Sequence, residues 1–159
     1  MQKISTVFAR KLDLPVDLTE RLILLAKLHD IGKMGVPDQI LTKPSSLTRE
    51  EWEIIKRYPE IGYRIAQASN DLMGVVEEIL SHHERWDGGG YPRGLKQEEI
   101  PFLARIINIV DSYEVMTEGR PYKAARSPEE ALNEVRRCAG TQFDPRLVAE
   151  FVRVFENLA

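Results

Sequence analysis

Apolar residues recur along much of the chain at intervals of three and four, the spacing that lines one face of an α-helix. Ile4, Val7, Phe8 and Leu12 are already in that register with no capping residue ahead of them, so the chain is expected to begin inside a helix. Asp17 and Glu20 read as a capping box ahead of "LTERLILLAKLHDIGK", a largely buried helix closed by Gly32 and Gly35. Thr48 and Glu51 repeat that signal before "EWEIIKRY", and Pro59 opens "PEIGYRIAQAS". "DLMGVVEEILSHHERW" has apolar residues at 72, 73, 75, 76, 79 and 80 and reads as one helix, ended by the glycines at 88 to 90. The β-branched centre of "PFLARIINIVDSYEVM" would alone suit a strand, but nothing else in the chain offers that strand a partner, so helix is expected. Ser127-Pro128-Glu129-Glu130 starts a helix that Gly140 stops, and Asp144-Pro145 starts the last, "PRLVAEFVRVFENL". The pattern predicts an all-α, compact single-domain bundle of about seven helices, without repeat or linker.

Composition narrows the class. At 159 residues and 43% hydrophobic, the chain suits one domain over 1–159. A net charge of -3 excludes a chain-wide basic field, so no DNA partner is expected and any anion site must be built locally. The single cysteine, Cys138, cannot form an internal disulfide and reads as a half-buried helix residue in a reducing cytoplasm. No apolar run reaches the ~18 residues that span a bilayer, and the start lacks the apolar block of a signal peptide, so a soluble protein without a membrane partner is expected.

All three histidines fall in two dipeptides, His29-Asp30 and His82-His83, each near the end of an expected helix. Helix neighbours point about 100° apart, so the members of a pair serve adjacent positions better than one common ion. A carboxylate can bridge two ions, and imidazole suits iron, manganese, zinc or nickel. A carboxylate is disfavoured at a helix C-terminus unless a cation reverses the sign, which is the reason to consider metal at Asp30; the alternative is a satisfied core histidine beside a surface carboxylate. Asp111 follows the apolar run "IINIV", where a charge needs a partner: Arg105, Lys123, or a metal shared with His29. Arg120, Lys123 and Arg126 surround Pro121-Tyr122 and form either a solvated surface or phosphate donors, to which Lys33 could add another.

In order, "LHDIGK" (28–33), "HHERWDGGGYP" (82–92), "ARIINIVDSYEVMTEGRPYKAA" (104–125) and "GTQFDP" (140–145) resemble the HD-GYP domain, from about Leu18 to Phe151. That family of the HD phosphohydrolase superfamily is all-helical and hydrolyses the bacterial messenger cyclic di-GMP to pGpG or GMP with two or three metal ions, often iron or manganese. The resemblance implies two divalent ions here, His29, Asp30, His82, His83 and Asp111 as ligands with Asp30 bridging, and Lys33 near the scissile phosphate. It implies that Gly90-Tyr91-Pro92 is the GYP signature with Tyr91 on substrate, and that Arg120 and Lys123 bind phosphate. It also implies an upstream receiver or sensor domain and a signalling-protein partner.

Two positions depart from the family pattern. A histidine ligand usual in the preceding helix would fall upstream of Met1, which fits a first helix cut at its N-terminus. Tyr58 of "YPEIG" stands where the family commonly has a histidine ligand; with a pKa near ~10, a phenol is a poor substitute for imidazole on divalent ions. Five candidate ligands remain, with reduced occupancy an implied consequence. The implied activity is metal-dependent hydrolysis of cyclic di-GMP; the alternative is a degenerate domain acting as a cyclic di-GMP receptor or protein-interaction module.

Overall fold

The computed structural model describes residues 1–119 and 124–156. Nine α-helical segments lie among them, and seven of these are seven residues or longer. The described residues form no strand, only an isolated bridge between Ala139 and Phe143, so the all-α expectation holds. None of the described helices is long and apolar enough to cross a membrane.

Helix α1 (Gln2–Lys11) pairs with α2 (Val16–Leu28). The expected Asp17 cap is not made: Pro15 is the N-cap without a side-chain bond, and Asp17 sits in the first turn, where its charge complements the helix dipole. Beyond α2 the chain tightens into a 3₁₀ turn, Ile31–Gly35, followed by α3 (Asp38–Leu41), α4 (Arg49–Ile55) and α5 (Tyr58–Gln67). The Thr48 capping box on α4 forms as expected. Gly32 lets that 3₁₀ turn pack backbone to backbone on α5.

The single helix expected over 71–86 is divided. Asn70–Val75 is 3₁₀ and only Val76–Ser81 is α-helical, α6. Gly74, the weakest helix former in the run, has its carbonyl bonded by Arg21 Nε at 2.6 Å, which ties this segment to α2. At its other end α6 stops at the His82 C-cap, and His83 and the glycine loop follow as non-helical chain.

Helix α7 (Phe102–Glu118) runs through the core and buries Leu103, Ala104, Ile106, Ile107, Ile109, Val110 and Tyr113. A fully buried isoleucine contributes roughly 1.5–3 kcal/mol relative to an exposed one, which outweighs the strand preference of the β-branched run. Around it close α8 (Pro128–Arg137), capped by the Ser127 box, and α9 (Pro145–Phe155), capped by Asp144. Phe8 meets Phe151 edge to face at 5.1 Å. Cys138 is the half-buried C-cap of α8, as expected.

Candidate functional site

Four chain segments meet where helices end. His29 is the C-cap of α2, Asp30 follows it, and Lys33 rides on the 3₁₀ turn. Tyr58 opens α5, His82 caps α6 with His83 beside it, and Asp111 comes from the middle of α7. His29 Nε2 lies 3.5 Å from Asp30 Oδ2 and 3.8 Å from Asp111 Oδ1, and His82 Nε2 lies 4.0 Å from Asp30 Oδ1. The rings of His29 and His82 are 5.3 Å apart and those of His82 and His83 4.2 Å. All five expected ligands are therefore neighbours. Of the partners weighed for Asp111, Arg105 is taken by Asp144 at 2.8 Å, His29 lies 3.8 Å away, and Lys123 falls outside the described residues.

The donor chemistry fits a cation. His82 Nδ1 is 2.6 Å from the Ile79 carbonyl, which can only accept, so Nδ1 carries the proton and Nε2 turns a lone pair toward Asp30. Burial, reinforced by His83 and His29, pushes the His82 pKa well below its ordinary value, and burial holds His83 at about 4. Both imidazoles are thus neutral near neutral pH. Burial pushes the Asp30 carboxyl up, but His29, Lys33 and Tyr58 more than offset it and hold the group at about 2. Lys33 Nζ sits 2.5 Å from Asp30 Oδ2. Among the described residues, no three His, Cys, Asp or Glu side chains close around one point; the carboxylate is occupied by Lys33, and the histidine pair by Tyr58.

Tyr58 is 2% exposed and its hydroxyl lies 2.8 Å from His82 Nε2, with a second, shorter contact to His83 Nε2. Burial and then the negative charge of Asp30 push the phenol above its ordinary pKa, so it is neutral.

The glycine loop forms the next wall. A Cβ on Gly90 would stand 2.4 Å from the Arg85 amide nitrogen and 2.6 Å from the His83 carbonyl oxygen, so only glycine permits this approach. It lays the Tyr91 ring on His83, with centroids 4.9 Å apart and planes inclined by 24°, and Trp52 meets Tyr91 edge to face at 6.3 Å. A cleft of about 530 Å³ runs from His82, His83 and Asp111 past Tyr91 and Trp52 to Arg85. Arg120 and Lys123, expected to bind phosphate, lie outside the described residues.

Glu84, Asn108 and Gln142 were not among the expected site residues. Glu84 is 1% exposed and accepts the amides of Arg93 at 2.7 Å and Leu95 at 3.0 Å, fastening the chain beyond Tyr91-Pro92. The Asn108 side chain donates to the Glu84 carbonyl at 2.8 Å, and Gln142 Nε2 donates to Ser112 Oγ at 3.2 Å. "GTQFDP" also accepts through its backbone, from Trp86 N to the Gln142 carbonyl and from Asp87 N to the Thr141 carbonyl. A glutamate entering a glycine-rich loop was the available signal, but helical periodicity is silent in a loop.

The family described as HD domain matches residues 1–147. A cyclic di-GMP phosphodiesterase of Thermotoga maritima is 48% identical over 135 residues, which are 84% of this chain and 37% of that protein. The cyclic di-GMP phosphodiesterase response regulator RpfG of Xanthomonas campestris is 37% identical, covering 96% of this chain and 41% of its own length. This chain thus spans less than half of either relative. Among solved structures, an HDG"Y"P protein from Bdellovibrio bacteriovorus superimposes with a TM-score of 0.75 at 21% identity, covering 98% of this chain and 50% of that one, a likeness of fold. With its helices in that arrangement and Gly90-Tyr91-Pro92 closing the wall beside His83, the chain belongs to the HD-domain family, in its HD-GYP branch.

Proposed function

We propose that this domain is a metal-dependent phosphodiesterase that hydrolyses cyclic di-GMP to pGpG or GMP in bacterial second-messenger signalling in the cytoplasm. The observation that carries the reading is the meeting of His29, Asp30, His82, His83 and Asp111 at one end of a cleft whose wall is Tyr91. The names of the Thermotoga and Xanthomonas relatives support the substrate. Iron or manganese is the proposed cofactor, in two positions: His29, Asp30 and Asp111 would hold one ion, and Asp30, His82 and His83 would hold the other, the two histidines serving one position because α6 ends at His82 and the helical separation of about 100° does not apply.

A bound ion of this kind polarises phosphoryl oxygens and lowers the pKa of water. The protein's own groups then have distinct tasks. Asp30 stays ionised and His82 neutral, so both keep lone pairs available. Lys33, held at Asp30, sets a positive charge beside the phosphate subsite, where one well-placed donor is worth ~3 kcal/mol in the transition state. Tyr91 offers a ring face to the nucleotide, and Arg120 and Lys123 are the proposed further phosphate donors. An upstream receiver or sensor domain and a signalling-protein partner complete the proposal for the longer protein.

A second reading, a cyclic di-GMP receptor or interaction module without turnover, is favoured by the Tyr58 hydroxyl lodged against His82 and His83. The test loads the domain anaerobically with Fe(II) or Mn(II), alone and joined to upstream sequence, and follows cyclic di-GMP by chromatography. Linear pGpG or GMP is expected. Binding of the dinucleotide by loaded protein with no linear product would transfer the assignment to the receptor reading.

A further inference from the structure

The hydroxyl of Tyr58 lies against the imidazoles of His82 and His83 and also reaches the Asp30 carboxylate. A phenol has one hydrogen to give. His82 Nδ1 is committed to the Ile79 carbonyl, so His82 Nε2 can only accept, and the Tyr58 O–H must serve it or Asp30. His83 Nε2 completes its contact by donating to the phenol oxygen. The hydroxyl therefore engages both imidazoles at one point: its hydrogen fills the lone pair of His82 Nε2 or of Asp30, and its oxygen holds the hydrogen of His83 Nε2, so the atoms that would face an ion are already bonded. The ring behind it is held: it is 2% exposed, Lys33 Nζ stands 5.3 Å from its centroid, and its own carbonyl packs on Gly32. On the other side, the group at Asp30 Oδ2, the oxygen nearer His29, is Lys33 Nζ, carried on a flexible side chain that is 40% exposed, whereas the Tyr58 ring is fixed in the interior.

We propose that Tyr58 is a built-in occupant of the second ion position, so that the chain binds one divalent ion tightly, at His29, Asp30 and Asp111, and a second only weakly at His82 and His83. This rests on the metal-dependent reading above and assigns the two positions unequal affinity.

The test titrates chelator-treated protein with Mn(II) and reads free ion by electron paramagnetic resonance, with total metal after gel filtration measured by mass spectrometry. The parent is expected to retain about one ion, and Tyr58→Phe to tighten the second by about 10- to 100-fold, the range by which groups bonded to ligands alter metal affinity. Tyr58→His should retain two. Two equally tight ions in the parent would overturn the proposal while leaving the phosphodiesterase reading intact. Weaker Mn(II) binding by a folded Tyr58→Phe, with a phenolate-to-iron absorption band in ferric-loaded parent, would also overturn it by making Tyr58 a ligand. Binding of no ion by any of the three removes both readings. If Tyr58→Phe does not fold, parent stoichiometry and Tyr58→His decide.

Discussion

Gly32 lies so close beneath the Tyr58 carbonyl that a Cβ at position 32 would stand 1.8 Å from that oxygen and 2.5 Å from the Gly62 amide nitrogen. Both obstacles are backbone, so neither can turn aside as a side chain would. The pair fixes the distance between the 3₁₀ turn that carries Lys33 and the first residue of α5, and with it the depth to which Tyr58 enters the site.

Gly32→Ala must therefore lift α5 from the turn. A loss of about 1–3 kcal/mol or more is expected, in the range of substitutions that force backbone apart in a packed interior. Urea unfolding followed by circular dichroism measures it. A midpoint equal to that of the parent would show that α5 slides without cost and that Tyr58 is not held at a fixed depth.

Glu84 governs the opposite wall. Its buried carboxylate accepts two backbone amides beyond Tyr91-Pro92, and Glu84→Gln would turn an NH₂ group toward one of them. A buried amide left without its acceptor costs about 1–3 kcal/mol. The amides of Arg93 and Leu95 should exchange hydrogen faster while those of α7 keep their protection. Unchanged exchange at 93 and 95 would show that the loop is held by other bonds.

These two relationships mark the limits of sequence legibility. The helices could be read because periodicity and capping residues are local: Thr48 with Glu51 and Ser127 with Glu130 announce α4 and α8 by themselves. The α7 assignment followed from elimination, and packing on both sides made it correct. The apolar pattern over 71–81 did not betray the 3₁₀ segment, because the bond from Arg21 to Gly74 comes from a distant helix. Likewise the meeting of His29 with Asp111 was legible as two chemistries in need of a partner, while Glu84 became visible only once the loop it fastens was folded. Gly32 read as a helix stop; its closeness to Tyr58 is a tertiary fact.

Acid should weaken the metal-free protein in two windows. In the unfolded chain His83 takes a proton near 6.5, whereas burial holds the folded residue unprotonated down to about 4, and His82 is shifted in the same direction. The unfolded state thus binds more protons between those values, so stability falls as pH drops through that interval, by up to about 1.4 kcal/mol per pH unit for each histidine. Asp30 acts lower. Its stabilising contribution is present above 3.8 and is lost as pH falls toward about 2. Urea midpoints of chelator-treated protein should decline from about pH 6.5 downward, and His83→Gln should flatten that upper limb. A parent whose midpoint stays level between 6.5 and 4 would contradict the buried, neutral histidine pair.

Lys33 and Tyr91 should separate in kinetics because they touch different parts of the site. Lys33 Nζ is bonded to the Asp30 carboxylate among the candidate ligands, so in the proposed reaction its charge would act where negative charge grows on the phosphate. Lys33→Met is expected to lower kcat by about 10²-fold with little change in KM. Tyr91 instead lies on His83 and lines the cleft beside Trp52, whose ring stands at 77° to it. Stacking of a base on an aromatic side chain is worth about 1–3 kcal/mol, so Tyr91→Ala should raise KM by about tenfold or more. Tyr91→Phe, which keeps the ring, should stay close to the parent. Steady-state hydrolysis of cyclic di-GMP by metal-loaded variants measures both constants. If Tyr91→Phe loses as much as Tyr91→Ala, the hydroxyl rather than the ring face binds the nucleotide, and the cleft wall works as a hydrogen-bond donor instead of a stacking surface.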